Sequence, residues 1–348
     1  MNIGPFTLPN QFFVAPMAGV TDRPFRQLCK KLGAGYAVGE MMSSRADLWH
    51  TPKTARRADH SGEVGPIAVQ IVGTEAAAMA QAALYNIDLG AQIIDINMGC
   101  PAKKVCHQWA GAALMRDETL ALSIIQSVVA VCAPRAVPVT LKMRSGWSDS
   151  QKNAVQLARR AEQAGVQMIT VHGRTGEQGF RGQAEYHTIA AVKAGVAVPV
   201  VANGDIDSPQ KARLVLMHTG ADAVMIGRAA QGRPWIFREM AHFMAKGTPL
   251  AAPLVAEVKQ LLLSHLQDHY TLYGDFSGVR TARKHIIWYL RGLPGARDFL
   301  ARMNLINDCA AQTGAVADYF DELNQQTDRM PEPVLDGPAN TRPMETVT

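Results

Sequence analysis

The chain has 348 residues, 47% of them hydrophobic and 19% charged, with a formal net charge of +5 at pH 7. That length admits one large domain, or a large domain with a small companion, and provides enough apolar side chain for a substantial core. Nothing at the N-terminus pairs a basic stretch with an apolar one. No apolar run approaches the roughly 18 residues of a membrane span, so the reading is of a cytoplasmic protein without a membrane partner.

In chain order, eight short apolar segments rich in Val and Ile recur, each ending in polar or glycine residues. They cover 12–19, 36–44, 66–74, 92–101, 138–146, 168–175, 199–206 and 221–229. Helix-length segments separate most of them. Residues 74–89 read as a helix with Thr74 as N-cap, and 149–164 as another. Residues 208–217 begin with Ser208 as N-cap and Pro209 at the first position. Continuous apolar strands alternating with helices imply a parallel sheet covered by helices. Eight such units over about 230 residues favour a closed (β/α)₈ barrel over an open doubly wound sheet. The second unit is the least regular, because 45–65 is polar. Residues 234–245 would close the barrel, which spans 1–248. A domain at 249–323 follows with helical periods at 255–270, 280–293, 299–311 and 316–323, a small C-terminal helical bundle. The proline-bearing 324–348 reads as a disordered tail.

The cysteines, at 29, 100, 106, 132 and 309, are odd in number and scattered, against a disulfide framework. With no CxxC pair, no metal site is expected.

In a barrel the active site lies at the C-terminal ends of the strands, and these ends are loaded with polar residues. Gln70 and Lys142 lie inside apolar strands, where they are costly to bury without a partner. Asn203-Gly204-Asp205 and Gly227-Arg228 follow the seventh and eighth strands, where barrels commonly bind phosphate. Glycine lets backbone approach an anion, and N–H groups with an arginine supply donors. A phosphorylated cofactor and a phosphorylated substrate both fit that position.

The strings Ala15-Pro16-Met17-Ala18-Gly19, Asp95-Ile96-Asn97-Met98-Gly99-Cys100-Pro101 with Lys103-Lys104, and His172-Gly173-Arg174-Thr175 belong together. With Asn203-Gly204-Asp205-Ile206 and Ile226-Gly227-Arg228-Ala229 they resemble the tRNA-dihydrouridine synthase family, closest to its bacterial B-type branch. The resemblance implies an FMN- and NADPH-dependent oxidoreductase acting on a CH–CH bond, with NADH as an alternative reductant and tRNA as partner. No obligate protein partner is implied. Pro16, Met17 and Ala18 would line the flavin ring, with Gln70 and Lys142 at its polar edge and His172 nearby. Asn203, Gly204, Asp205, Gly227 and Arg228 would hold the ribityl and phosphate groups. Asn97, Arg144 and Arg174 would meet a D-loop uridine, with position 17 the expected target.

Reducing the uracil 5,6 double bond requires a hydride at C6 and a proton at C5. Reduced FMN would supply the first. Cys100 would supply the second, since a free thiol with pKa near 8.5 is mostly protonated at pH 7. The target base must leave its stack to reach such a pocket, so a basic partner surface is expected. At about 100° per residue, Arg280, Arg283, Lys284 and Arg291 gather opposite the apolar face of the 280–293 helix, beside Trp288. Lys103 and Lys104 are further candidates. Two other readings stand beside this one. A flavin barrel acting on a small enone would not need the basic helical domain. A non-catalytic tRNA-binding protein would not need Cys100, Lys142 and His172 together.

Overall fold

The structure is a computed structural model and describes residues 1–331. A short hairpin, β1 (Asn2–Ile3) and β2 (Phe6–Thr7), precedes nine parallel strands. These are β3 (Phe12–Val14), β4 (Tyr36–Ala37), β5 (Met42–Ser43), β6 (Ala68–Val72), β7 (Ile93–Met98), β8 (Val139–Arg144), β9 (Met168–His172), β10 (Val200–Asn203) and β11 (Ala223–Ile226). Their order is β4-β3-β11-β10-β9-β8-β7-β6-β5. β4 and β5 are two pieces of one pass, and a parallel bridge between Val38 and Ala68 joins that pass to β6. The ring therefore closes as the expected (β/α)₈ barrel with a split second strand, in the unit that the sequence pattern marks least clearly.

Side chains alternate across each strand, and the two faces do different work. Val69, Ile71, Ile94, Ile96, Leu141, Ile169, Val171, Val200 and Val224 point outward into the main core beneath the helices. The inward face carries its own apolar cluster, including Phe13, Tyr36, Ala68, Ile93, Met168, Val201 and Ala223, with Ile3 and Leu8 of the hairpin segment.

The outer helices are α1 (Arg23–Lys31), α2 (Pro52–Ala58), α3 (Ala76–Asp88), α4 (Lys103–Cys106), α5 (Glu118–Cys132), α6 (Ala154–Gln163), α7 (His187–Gly195), α8 (Pro209–Thr219) and α9 (Ile236–Lys246). Ser208 caps α8 by accepting from the Lys211 N–H, as its position suggests. Thr74 does not cap α3: Glu75 occupies that position and no side chain makes the cap bond. α6 starts later than residue 149, because 147–151 first fold into a turn closed by Trp147 N–H and the Gln151 carbonyl. Residues Glu118–Arg135, with mean hydropathy 1.2, are apolar enough to pass for a membrane span, contrary to the reading of the sequence. Here they include α5, which buries Ala121, Ile124, Ile125, Val128 and Cys132 in the barrel core.

Beyond the barrel, α10 (Val255–Tyr289), α11 (Ala296–Met303) and α12 (Cys309–Gln326) form the helical bundle. α10 breaks at Gly274, whose φ of +71° and ψ of 167° lie outside the helical region. Leu262 and Leu266 on one arm and Ala282, Ile286 and Tyr289 on the other share a core with Phe320 and Leu323 of α12, with Leu28 of α1 and with Leu32 at its C-terminal cap. Residues 324–326 complete α12, and buried Met330 donates its N–H to the Pro253 carbonyl. Residues 324–331 are thus ordered, with Met330 alone of them buried, and the rest of the expected tail lies outside the described residues.

Gly232 lets the two units meet. Its φ is +71°, and a Cβ there would fall 2.2 Å from the Trp288 carbonyl oxygen on α10. Gly232→Ala combines a left-handed strain with a clash against backbone, so it is expected to destabilise the protein by on the order of 3 kcal/mol. Urea unfolding of both proteins measures this; an unchanged midpoint would refute the packing argument.

Candidate active site

Toward the C-terminal ends of the strands the inward face changes from apolar to polar. Ile93 gives way to Asp95 and Asn97, Ala68 to Gln70, and Met168 to Thr170 and His172, while Thr140, Lys142 and Arg144 follow one another on β8. Parallel register sets these residues side by side. Gln70 pairs with Asp95, Asp95 with Thr140, Asn97 with Lys142, Arg144 with His172, and His172 with Asn203.

The pairing builds a buried chain of hydrogen bonds. Asp95 accepts from Thr140 Oγ1 at 2.6 Å and from Gln70 Nε2 at 2.7 Å. Gln70 Oε1 accepts from Asn97 Nδ2 at 2.6 Å. Asn97 Oδ1 then accepts from the N–H groups of Gly99 and Cys100, at 3.0 and 2.9 Å. These contacts fix which atom of each amide donates, so the turn carrying Cys100 hangs from the barrel interior. Arg144 braces its other side, donating Nε to the Gly99 carbonyl at 2.7 Å and Nη1 to the carbonyls of Thr175 and Gly179.

Burial pushes the Cys100 thiol upward, with Arg144 and Lys142 pulling it partly back. The thiol therefore stays protonated at neutral pH. Burial also raises Asp95, opposed by the bonds from Thr140 and Gln70 and by nearby Lys142.

Reaching across the mouth from β8, Lys142 Nζ donates to Asn203 Oδ1 at 3.0 Å, and Asn203 Nδ2 donates to the Met225 carbonyl. Burial, aided by Arg144, lowers Lys142 to about 8. His172 is pushed well below its ordinary value by burial and by the cations around it. It is neutral, and Arg174 Nη1 lies 3.4 Å from its Nε2, which must accept. Asp205, with φ of +48°, accepts from Arg174, Arg228 and the Ala184 N–H. Gly204 has φ of +122°, and a Cβ there would sit 2.8 Å from the His172 ring. A Cβ at Gly227 would lie in ordinary contact with Met17 and Ala15, at 3.7 and 3.8 Å.

The strand-one loop is pinned from three directions. Thr21 Oγ1 accepts from the Met17 N–H, Glu40 accepts from the Gly19 N–H at 2.5 Å, and Lys284 of α10 donates to the Gly19 carbonyl. Pro16 and Met17 are half-buried and Ala18 is exposed.

The three residues expected at the uridine lie at neighbouring strand ends and make hydrogen bonds within the protein. Asn97, Arg144 and Arg174 are each buried. Their polar atoms are engaged with the Cys100 turn, with the 175–182 loop and with Asp205. Gln70 is likewise consumed inside the barrel. Sequence reasoning missed Asp95 as the centre of the network, although its adjacency to Asn97 at strand spacing was a signal. It also missed Phe180, an exposed aromatic in a glycine-flanked loop, whose ring lies 5.6 Å from the Arg144 guanidinium carbon and 5.8 Å from that of Arg228.

The expected basic stripe on α10 is not one solvent face. Lys284 turns into the barrel loop, and Arg283 bonds the Ile306 carbonyl and Asn307. Arg280 is exposed and covers Phe276, and Arg291 is exposed. Lys103 and Lys104 are exposed on α4, just past Cys100.

The fold and its polar strand ends define a (β/α)₈-barrel protein whose reactive groups converge at one mouth, the arrangement that barrel enzymes use. A family model described as dihydrouridine synthase (Dus) matches residues 13–324. The chain is 55% identical to tRNA-dihydrouridine synthase B of Pseudomonas aeruginosa, over 92% of this chain and 96% of that protein. It is 54% identical to the protein of the same name from Shewanella oneidensis, over 93% and 100%. Solved structures sharing the fold include a variant of NCR from Zymomonas mobilis, with TM-score 0.51 and 17% identity over 73% of this chain and 92% of that one. Histamine dehydrogenase from Rhizobium sp. 4-9 aligns with TM-score 0.52 and 12% identity, over 94% and 64%. The chain belongs to the dihydrouridine synthase family.

Lys142 offers a test of the site electrostatics in flavin-free protein. Its folded value near 8 lies below the unfolded value near 10.4. The cost of burying its charge is therefore present in full below pH 8 and is relieved as pH rises toward 10.4. Relative to Lys142→Met, wild-type stability is expected to rise across that window by on the order of 1–3 kcal/mol. Parallel pH dependences of urea unfolding for the two proteins would contradict this placement.

Proposed function

We propose that this chain is a flavin-dependent tRNA-dihydrouridine synthase of the B type, reducing the C5–C6 double bond of a D-loop uridine with NADPH as the source of electrons. The observation that carries the reading is the protonated Cys100 thiol, held on a turn braced by Asn97 and Arg144, beside the buried cation Lys142 of the neighbouring strand. Membership of the family supports it.

The residues present fit FMN. Arg228 is exposed at the mouth, and Asp205 is neutralised by two arginines, so an incoming phosphate meets net positive charge. Glycine at 204 and 227 keeps side-chain bulk away from this wall. Asn203, Gly204, Gly227 and Arg228 would hold the phosphate end, with Asp205 acting through the arginines. Pro16, Met17 and Ala18 would line the ring, and Lys142 would offset negative charge at its edge. When bound, FMN supplies the hydride that adds to C6.

The chain's own part is positional and acid–base. Cys100 holds the proton for C5. Neutral His172 accepts from Arg174, and that pairing orients its ring toward the site. Asn97, Arg144 and Arg174 would shape the uridine pocket chiefly by holding the Cys100 turn and the 175–182 loop. Phe180 offers a stacking surface for an extruded base.

The decisive assay supplies the purified flavoprotein with NADPH and unmodified tRNA and measures dihydrouridine, with mapping to position 17. A bound flavin without dihydrouridine would favour a small-enone substrate, and absence of flavin a binding protein. Cys100→Ala is expected to retain flavin and tRNA binding while losing about 10²- to 10⁴-fold in single-turnover rate. With the thiol pushed upward, the wild-type rate should stay level through neutral pH and fall only on the alkaline side. A decline beginning below pH 7 would remove Cys100 as the acid.

Lys103 and Lys104 would contact tRNA phosphates beside the catalytic turn, with Arg280 and Arg291 on the helical domain. Replacing both lysines by Ala should reduce the slope of log K against log salt for tRNA binding by about two. An unchanged slope would place the tRNA elsewhere.

A further inference from the structure

Where α1 meets α10, four buried polar side chains stand outside the reaction proposed above. Asp22, the N-cap of α1, accepts from the Phe25 N–H with Oδ1, while its Oδ2, near His269 and Tyr273, has no hydrogen-bond partner of good geometry among the described residues. Facing it are His265, His269 and His285 of α10, each no more than 2% exposed. Both ring nitrogens of His265 and His285, and Nδ1 of His269, also lack a hydrogen-bond partner among the described residues. Each such buried group carries a desolvation cost of about 1–3 kcal/mol unless something meets it.

The tautomer of His269 sharpens the problem. Thr281 Oγ1 donates to the Ser277 carbonyl at 2.7 Å, so its contact with His269 Nε2 at 2.8 Å is one in which the ring N–H donates. In a neutral ring, Nδ1 then points a lone pair at the Asp22 carboxylate, 3.4 Å away. Two acceptors at that range need positive charge between them. A proton would satisfy this pair alone and leave the other nitrogens orphaned.

We propose that Asp22 Oδ2, His269 Nδ1 and a ring nitrogen of His285 bind a divalent transition-metal ion of the zinc class, with His265 the nearest fourth donor. One donor atom from each of Asp22, His269 and His285 lies within 4.8 Å of the others. Tetrahedral zinc with bonds near 2.0–2.1 Å sets its donors about 3.3 Å apart. The Asp22–His269 pair already has that spacing, and small ring rotations bring His285 in. His265 follows at a ring-centroid distance of 4.6 Å from His285. Thr281 supplies the outer contact that metal-bound histidines characteristically make with their other N–H. A surface cleft of about 540 Å³, bordered by Gln27, Gln260, Ser264 and Asp268, has His265 in its lining.

The sequence expectation of no metal rested on the missing CxxC pair. His265 and His269 do have the i,i+4 spacing of a helical ligand pair, but Asp22 and His285 join them only in the fold. The ion ties both arms of α10 to the start of α1, three residues beyond Gly19 of the strand-one loop, and Lys284 beside His285 holds that same loop. Its role is structural, fixing the helical domain at the barrel mouth, and it stands independently of the proposed reaction.

The test uses full-length, untagged protein grown with zinc and desalted without chelator. Elemental analysis is expected to find about one zinc per chain in wild type and in Cys100→Ala, and less than about a tenth of that in Asp22→Asn. Chelator-treated wild type should take up Co²⁺ with the visible absorption of a tetrahedral site, and Zn²⁺ should displace it and raise the unfolding midpoint. This second measurement decides the matter if Asp22→Asn does not fold. Wild type that takes up neither ion, or folded Asp22→Asn that keeps its full zinc, overturns the proposal. A metal-free wild type with a protonated His269 by NMR would identify a buried imidazolium–carboxylate pair instead.

Discussion

The carboxylate of Asp95 is the point from which the reactive end of the barrel is built. It sits in the low-polarity interior, where an unpaired charge is costly, and it is met by Thr140 on one side and Gln70 on the other. Those two bonds orient the Gln70 amide, which orients Asn97, which holds the backbone of the Cys100 turn. Each member has one workable orientation because its neighbour's donor or acceptor role is already decided. A thiol on a loop end thereby gains the positional definition of a strand.

The same interior tolerates a dense set of cations because their charges are used locally. Arg144 and Arg174 spend their guanidinium groups on loop carbonyls and on Asp205. Among the described residues Lys142 has only the neutral Asn203 amide as its hydrogen-bond partner, and burial lowers its affinity for a proton. An anion entering beside Lys142 and Arg228 relieves that imbalance. His172, surrounded by positive charge, is kept neutral and so remains an acceptor. The electrostatics that cost Lys142 its charge on burial are those that would favour an anionic ligand at this mouth.

The helical unit is joined to the barrel at the rim of this site. Lys284 reaches the Gly19 carbonyl, Gly232 admits the Trp288 backbone, and the Asp22 cap faces three histidines of α10. Periodicity on the 280–293 segment separated apolar from basic residues correctly. It did not distinguish a basic side chain facing solvent from one aimed at a neighbouring carbonyl. Arg283 and Lys284 took the second course, since half-buried cations settle where backbone oxygens accept from them.

Much of the outcome was already present in the linear order of residues. Alternating apolar strands and helices set the barrel, Ser208 and Pro209 started α8, and the strings around Cys100, His172, Asn203 and Gly227 pointed to one mouth and one family. These features are local: they depend on backbone preferences, side-chain alternation and short motifs. The split second strand and the burial of Met330 depended on contacts with distant segments, and the late start of α6 on the turn that precedes it. Likewise Asn97, Arg144 and Arg174 are polar residues at strand ends in any reading of the sequence. Only the tertiary structure decided that their hydrogen bonds go to the protein, because parallel register and loop closure set the partners within reach. The gathering of Asp22 with His265, His269 and His285 is of the same kind, produced by the docking of a helix more than 240 residues further along the chain.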